Sequence, residues 1–210
     1  VAARIAGKLG VKSGTPAFDL GAACSGFVYA MTMVDNMIRL GQVKTAAVIG
    51  VETLSNIVNW EDRNTCVLFG DGAGAVIVRA SSGEGTSKDN GVLATRIYAD
   101  GTQYDNLGTD GGVATTRSAG FVHMNGKEVF KFAVGAMCEA SNAVLKDANV
   151  TTSDVDWLLP HQANIRIISS VGQKLEIPDE KVIVTVDHHG NTSAASIPLA
   201  FSINSSIFLF

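Results

Sequence analysis

Charge is scarce in this chain. Asp, Glu, Lys and Arg together make up 17% of its 210 residues, and the 20 acidic residues outnumber the 16 basic ones. A net charge of −4 supplies no global attraction for nucleic acid, so an acidic partner would need a local basic patch. Cysteine is sparse too: Cys24, Cys66 and Cys138 have neither metal-ligand nor disulfide spacing, which reads as a reducing, cytoplasmic setting. No apolar run reaches membrane-spanning length and no signal-peptide pattern opens the chain, so membrane insertion is not expected. What is abundant is apolar surface, 46% of residues, with 22 glycines placed at turns; this is globular composition, enough for one large domain or two small ones. The chain starts at Val1 without methionine and closes on the uncharged run from Phe201 to Phe210, so it reads as a fragment.

The stretch from Phe18 to Phe27 organises the rest. Ala17 to Leu20 has the character of a short strand, Ala22 and Ala23 carry the backbone through a tight turn to Cys24, and Ser25 to Leu40 continues as a helix. That helix is apolar on nearly every side (Phe27, Val28, Met31, Met33, Val34, Met37, Ile38), which predicts burial. Its charges, Asp35 and Arg39, form an i,i+4 pair, and Gly41 supplies the stop. A cysteine at a helix N-terminus faces unpaired N–H groups and the positive end of the dipole, which favour its nucleophilic thiolate. A free cysteine is more often inert packing, but small neighbours holding a turn open argue for a nucleophile elbow. Ala22 departs from the G-x-nucleophile-x-G form of the hydrolases.

Along the chain, Val1 to Leu9 reads as an amphipathic helix and Thr45 to Glu52 as a central parallel strand, so that strand, helix and strand make a βαβ unit. Thr65 to Phe69 and Ala73 to Arg79 read as strands joined by Gly70-Asp71-Gly72. The Gly-Asp-Gly-Ala-Gly tract has neither nucleotide-binding spacing, and close backbone approach better accounts for its glycines. Val92 to Ala99 is expected as a strand, Asp100 to Gly120 as a long loop where a lid could sit, and Gly126 to Ala148 as a helix in which Cys138 packs. Val155 to Leu159 should be a strand ended by Pro160. A helix from Asn164 to Leu175 follows, with Arg166, Ser170 and Lys174 on one stripe; Val182 to Val186 should be another strand.

His161 alone could be structural, and Asn191 alone could be a turn residue. His188 and His189, as neighbours in an extended turn, should point apart and hold no metal. Yet Cys24, His161 and Asn191 each fall at a strand-to-helix junction, the edge where α/β sheets build sites. The layout around Asn191 repeats that around Cys24, which suggests a duplication with these two residues at corresponding turns.

Three motifs in this order, GAACSGFVYA at Cys24, WLLPHQANIRI at His161 and HHGNTSAASIP at Asn191, together with LFGDGAGAV at Leu68 to Val76, resemble those of β-ketoacyl-acyl-carrier-protein synthase III. The resemblance runs from Val1 to about Ala200 and leaves the tail to Phe210 unmatched. It implies an α/β, thiolase-like fold, layered α-β-α-β-α and built from two duplicated halves, here residues 1–90 with the nucleophile and 91–210 with His and Asn. The family's opening βαβ segment would lie before Val1, and further strands and a Gly-rich loop after the Asn191 helix. By the same resemblance Cys24, His161 and Asn191 are catalytic in a decarboxylative condensation of acetyl-coenzyme A, or another short acyl-coenzyme A, with malonyl-acyl carrier protein, the start of type II fatty acid synthesis.

The resemblance also places Arg63, Gly126 and Asn164 on coenzyme A, and Lys131, Arg166 and Lys174 at a dock for the acidic carrier protein. Lys127 stands where some relatives carry asparagine. A homodimer is implied, and no cofactor, acyl-coenzyme A being a substrate. The alternative is a non-catalytic thiolase-like fragment that binds acyl-coenzyme A or carrier protein without turnover.

Overall fold

The computed structural model describes residues 1–204. In it, α1 (Ala2–Lys8) precedes a 3-10 turn at Ala23–Ser25, which runs directly into α2 (Gly26–Arg39). The strands β1 (Thr45–Glu52) and β2 (Gly72–Arg79) pair antiparallel along their whole length, from Thr45 opposite Arg79 to Glu52 opposite Gly72. The short strands β3 (Leu107–Thr109) and β4 (Val122–Met124) form a second ribbon ahead of the long helix α3 (Gly126–Asp147). Then come α4 (Ile165–Lys174), the single turn α5 (Val186–His189), a 3-10 turn at Ser193–Ala195, and α6 (Ser196–Ile203).

The helix α6 lies on one face of the β1–β2 pair, and glycine sets how closely. A Cβ on Gly50 would stand 2.3 Å from the Ala194 carbonyl oxygen, and one on Gly74 2.5 Å from the Leu199 nitrogen. The Gly-rich tract is therefore a place of backbone-to-backbone contact, as its sequence suggested. Its aspartate serves the neighbouring loop instead. Asp71 accepts from the Ser55 backbone N–H at 2.8 Å and from its hydroxyl at 2.6 Å. The opposite face of the pair turns Ile49, Val51 and Ile77 outward.

A second core joins α3 to α4. Ile167, Val171, Leu175 and Ile177 pack with Val134, and Phe130, Ala133, Met137 and Cys138 border them. The α4 sequence is suited to this: its apolar residues recur at helical spacing on the buried face, while Arg166 and Lys174 stay exposed. Asn164 starts the helix as its N-cap, its Oδ1 accepting from the Ile167 N–H at 3.0 Å. Cys138 is packing, as expected; burial pushes its thiol pKa up while Lys174 draws it down.

Several expectations need correction. Ala17 to Leu20 runs without ladder hydrogen bonds, so the first βαβ unit does not form, and β1 takes an antiparallel partner instead of a parallel one. Thr65 to Phe69 is a turn because Asp62 winds it: the Asp62 side chain accepts from the Asn64 N–H at 3.0 Å and the Thr65 hydroxyl at 2.7 Å, leaving only Phe69 to bridge Asn191. Val92 to Ala99 forms no strand; side chains hold it, with Arg39 donating to the Val92 carbonyl at 2.8 Å, Tyr29 to the Tyr98 carbonyl at 2.8 Å, and Arg96 paired with Asp147. The loop after Asp100 contains a 3-10 turn at Gly101–Asn106 and β3. The expected strands at 155–159 and 182–186 reduce to a single parallel bridge between Leu158 and Val182. The helix α2 carries its 2.7 Å Asp35–Arg39 pair but is not buried all round: Val28, Met33 and Leu40 are exposed, and only Gly26, Phe27 and Thr32 are fully buried. His188 and His189 sit in the helical turn α5, their rings edge to face, not in an extended turn.

Candidate active site

One short segment, Asn191 to Ser196, gathers the three predicted catalytic residues. Asn191 is fixed first. Its backbone N–H donates to the Leu68 carbonyl at 2.7 Å, its carbonyl accepts from the Gly70 N–H at 3.0 Å, and its side-chain Oδ1 accepts from the Ser193 N–H at 2.9 Å. With Oδ1 committed, the amide Nδ2 is the end left to donate. Ser193 then reaches Cys24, where its side chain lowers the thiol pKa. Ser196, three residues on, holds His161: the ring Nδ1 and the Ser196 Oγ are 2.7 Å apart.

Cys24 lies in the 3-10 turn ahead of α2 and is half-buried. The preceding Ala23 has φ +45°, a left-handed conformation that costs a non-glycine residue about 1 kcal/mol or more and marks a strained elbow. The thiolate expectation is corrected: burial is the largest influence on Cys24 and raises its pKa, the Glu52 charge raises it further, and Ser193 opposes both. A helix terminus contributes about 0.3–1 kcal/mol, which desolvation outweighs. His161 is displaced the other way. Burial lowers its pKa to about 4, so the imidazole is neutral at neutral pH.

Gln162 holds this arrangement, a role that its place in the sequence does not announce. It is 1% exposed. Its Nε2 donates to the carbonyls of Pro160 at 2.9 Å and Ile183 at 3.1 Å; its Oε1 accepts from the N–H groups of Thr185 at 2.7 Å and Val186 at 3.1 Å. One side chain thus ties the His161 loop to the start of α5, and explains why Val186 begins a helix. Ser193 and Ser196 are likewise absent from the residues that sequence singles out.

The remaining predicted residues stand apart from this cluster. Arg63 is exposed in the turn wound by Asp62, Gly126 is the exposed first residue of α3, and Asn164 spends its Oδ1 on capping α4. Arg166 lies 5.3 Å over the Phe130 ring, next to the exposed Lys131. Lys174, two turns further along α4, acts electrostatically on Cys138, two turns beyond Phe130 on α3. Lys131, Arg166 and Lys174 are exposed on the two helices, α3 and α4, that share the second core. Among the described residues no group of three or more His, Cys, Asp or Glu is placed to hold a metal ion.

Comparison with known proteins decides the family. The model for 3-oxoacyl-[acyl-carrier-protein (ACP)] synthase III matches residues 18–101, and the model for its C-terminal part matches residues 145–206. The chain belongs to the synthase III family. It is 51% identical over 201 residues to the beta-ketoacyl-[acyl-carrier-protein] synthase III of Paramagnetospirillum magneticum, covering 96% of this chain and 62% of that one. It is 54% identical over 202 residues to that of Rhizobium rhizogenes, again 96% of this chain and 62% of the relative. The crystal structure of the Aquifex aeolicus VF5 synthase III superposes with a TM-score of 0.89 at 45% identity, covering 99% of this chain and 63% of that one. That of Pseudomonas aeruginosa PAO1 gives 0.90 at 40%, with the same coverage.

The fold is therefore thiolase-like. The chain spans about three fifths of the length of the synthase III relatives it matches. The C-terminal match reaches residue 206, so the family pattern extends past Ala200, where the motif resemblance stops, into the tail; residues 205–210 lie outside the described residues.

Proposed function

We propose that this chain carries the acyl-transfer and condensation chemistry of a synthase III. The observation that carries the reading is the convergence of Cys24, His161 and Asn191 on the Asn191–Ser196 segment. In the first half-reaction the Cys24 sulfur bonds to the thioester carbon of a short acyl-coenzyme A, such as acetyl-coenzyme A. The carbon–sulfur bond to coenzyme A breaks, and the thiol proton leaves with the coenzyme A sulfur. Splitting the reaction this way stores the acyl group on the enzyme.

In the second half-reaction malonyl-acyl carrier protein loses carbon dioxide, the bonding pair moving onto the thioester as an enolate. That oxyanion needs donors already in position, a role for His161 Nε2 and Asn191 Nδ2. A neutral histidine with a lowered pKa is suited to donating without carrying charge. The enolate carbon then bonds to the acyl carbon, Cys24 leaves as thiolate and is reprotonated, and a 3-oxoacyl group remains on the carrier. No resident cofactor enters these steps. The exposed Lys131, Arg166 and Lys174 on the packed helices α3 and α4 offer the acidic carrier a basic surface; Arg63, Gly126 and Asn164 are assigned to coenzyme A, and two halves, 1–90 and 91–210, to a homodimeric cytoplasmic enzyme. Among the described residues no helix is long and apolar enough to cross a membrane.

Intact-protein mass spectrometry after incubation with acetyl-coenzyme A tests the reading. An acetyl adduct mapped to Cys24 and absent in Cys24→Ser supports it. No adduct on a chain that circular dichroism shows to be folded overturns it in favour of a binding scaffold.

A further inference from the structure

We infer that Ser196 is a positioning residue that sets the tautomer of His161, holding the proton on Nε2 so that the ring faces substrate as a hydrogen-bond donor and not as a base. The inference rests on the acyl-transfer reading of the site. Three observations carry it. Ser196 Oγ lies 2.7 Å from His161 Nδ1, and the Gln162 backbone N–H donates to the same oxygen at 3.3 Å. Ser196 is 2% exposed, so water does not compete freely for its hydroxyl. These are the hydroxyl's two partners among the described residues.

The proton count follows. A serine hydroxyl has one proton to give and can accept two. Because Oγ accepts from Gln162, its own proton has one acceptor in reach, His161 Nδ1. That assignment satisfies every group: Gln162 N–H gives to Oγ, Oγ–H gives to Nδ1, and the ring proton resides on Nε2. In the opposite assignment Nδ1–H gives to Oγ, which then accepts twice and is left with a buried proton that has no partner. An unsatisfied buried donor is the costlier state. Burial lowers the His161 pKa to about 4, so at neutral pH the ring carries one proton, and the hydrogen bonds decide which nitrogen holds it.

Chemically, the tautomer decides what the site does. With the proton on Nε2, His161 stabilises an oxyanion and cannot take the Cys24 proton through that nitrogen. With the proton on Nδ1, Nε2 is a base and repels the same oxyanion. One hydroxyl, carried on the first residue of α6, selects between the two.

Long-range proton–nitrogen NMR of the full chain, uniformly labelled with nitrogen-15, reads the tautomer directly; the His161 signals among the four histidines are those lost in His161→Gln. The wild type is expected to show protonated Nε2 and bare Nδ1 at neutral pH. Ser196→Ala is expected to mix the tautomers and slow malonyl-carrier decarboxylation about five- to tenfold, the value of one hydrogen bond, while Ser196→Thr, which keeps the hydroxyl, restores both. A wild-type ring protonated at Nδ1 overturns the inference with no variant needed. So does a Ser196→Ala ring that keeps the wild-type tautomer, even if turnover falls. If Ser196→Ala does not fold, Ser196→Cys replaces it under the same criterion. Failure of Cys24 to take an acetyl group would sink the acyl-transfer reading and leave this spectrum unchanged, so the two ideas fail separately.

Discussion

Gln162→Leu is the substitution that most directly tests how the site is held. Leucine nearly preserves the volume and removes all four hydrogen bonds. The carbonyls of Pro160 and Ile183 and the N–H groups of Thr185 and Val186 lose their side-chain partner in the interior. Each buried orphan costs about 1–3 kcal/mol, but the four share one loop, and Val186 is part-buried and able to recover water. A net loss of about 4 kcal/mol is expected, a large part of the ~5–15 kcal/mol that holds a typical domain. With a urea slope near ~3 kcal/mol per molar for a chain this long, the midpoint should fall by about 1–1.5 M at constant slope. Urea unfolding followed by circular dichroism reads this. His161, one residue away, should lose its place on Ser196, so acetylation of Cys24 should outlast condensation. A midpoint shift below about 0.3 M at unchanged slope would show that the loop is held by something else.

Four further outcomes are expected. Asn191→Ala should slow malonyl decarboxylation by roughly 10²–10³, the worth of one oxyanion donor; near-normal decarboxylation would remove Asn191 from that role. Because burial raises the Cys24 thiol pKa, its thiolate fraction is small at neutral pH. Its alkylation by iodoacetamide should therefore keep rising with pH after an ordinary thiol has levelled off, and a plateau at neutral pH would refute the burial account. Gly50→Val places its Cβ 2.3 Å from the Ala194 carbonyl oxygen, so about 3 kcal/mol of overpacking should lower Tm by roughly 6–12 °C; calorimetry showing no change would mean the sheet and the Ser193 turn are not in rigid contact. Arg166→Glu should raise the carrier-protein KM and leave free coenzyme A kinetics alone, since a rim charge acts mainly on encounter; an unchanged carrier KM would place the dock elsewhere.

The helices are the most legible part of this chain. Periodicity places α2, α3 and α4 to within one or two residues, because their apolar stripes are long and their ends are marked by Gly41, Asn164 and small turn residues. The strands are less legible. Val92 to Ala99 and Val155 to Leu159 have strand composition, but a strand is a pairing, and composition carries no information about whether a partner lies alongside. Thr65 to Phe69 departs for a local reason: Asp62 offers backbone and hydroxyl donors a nearer acceptor than any ladder. At the site, the residues with distinctive chemistry can be found by type and position. Gln162, Ser193 and Ser196 cannot, since their importance lies in which buried groups they satisfy, and that is settled only when distant segments meet. The Cys24 pKa escapes a sequence-based expectation for the same reason: a helix N-terminus is visible in sequence, whereas desolvation is not.

The duplication explains how one segment comes to serve all three residues. The turn at Ala23–Ser25 leads into α2 at Gly26, and the turn at Ser193–Ala195 leads into α6 at Ser196. Their first residues share a left-handed backbone, φ +45° at Ala23 and +49° at Ser193. Matched on that feature, the twin of Cys24 is Ala194, and Asn191 corresponds to Gly21, so Cys24 and Asn191 stand near corresponding turns but not at corresponding positions. Ala194 is small where its twin is reactive because the two turns meet: a Cβ on Gly26 would stand 3.3 Å from the Ala194 Cβ, and the Ala194 N–H donates to Glu52 at 3.3 Å. A bulkier residue at that position would force the elbows apart. The two copies thus keep the same backbone and divide the chemistry. One presents a sulfur, while the other gives up its central side chain to contact and uses the residues on either side, Asn191, Ser193 and Ser196, to orient an amide, a thiol and an imidazole. Close packing of the elbows is the condition for that division, which is why Gly26 and Gly50 belong to the cluster as much as Cys24, His161 and Asn191 do.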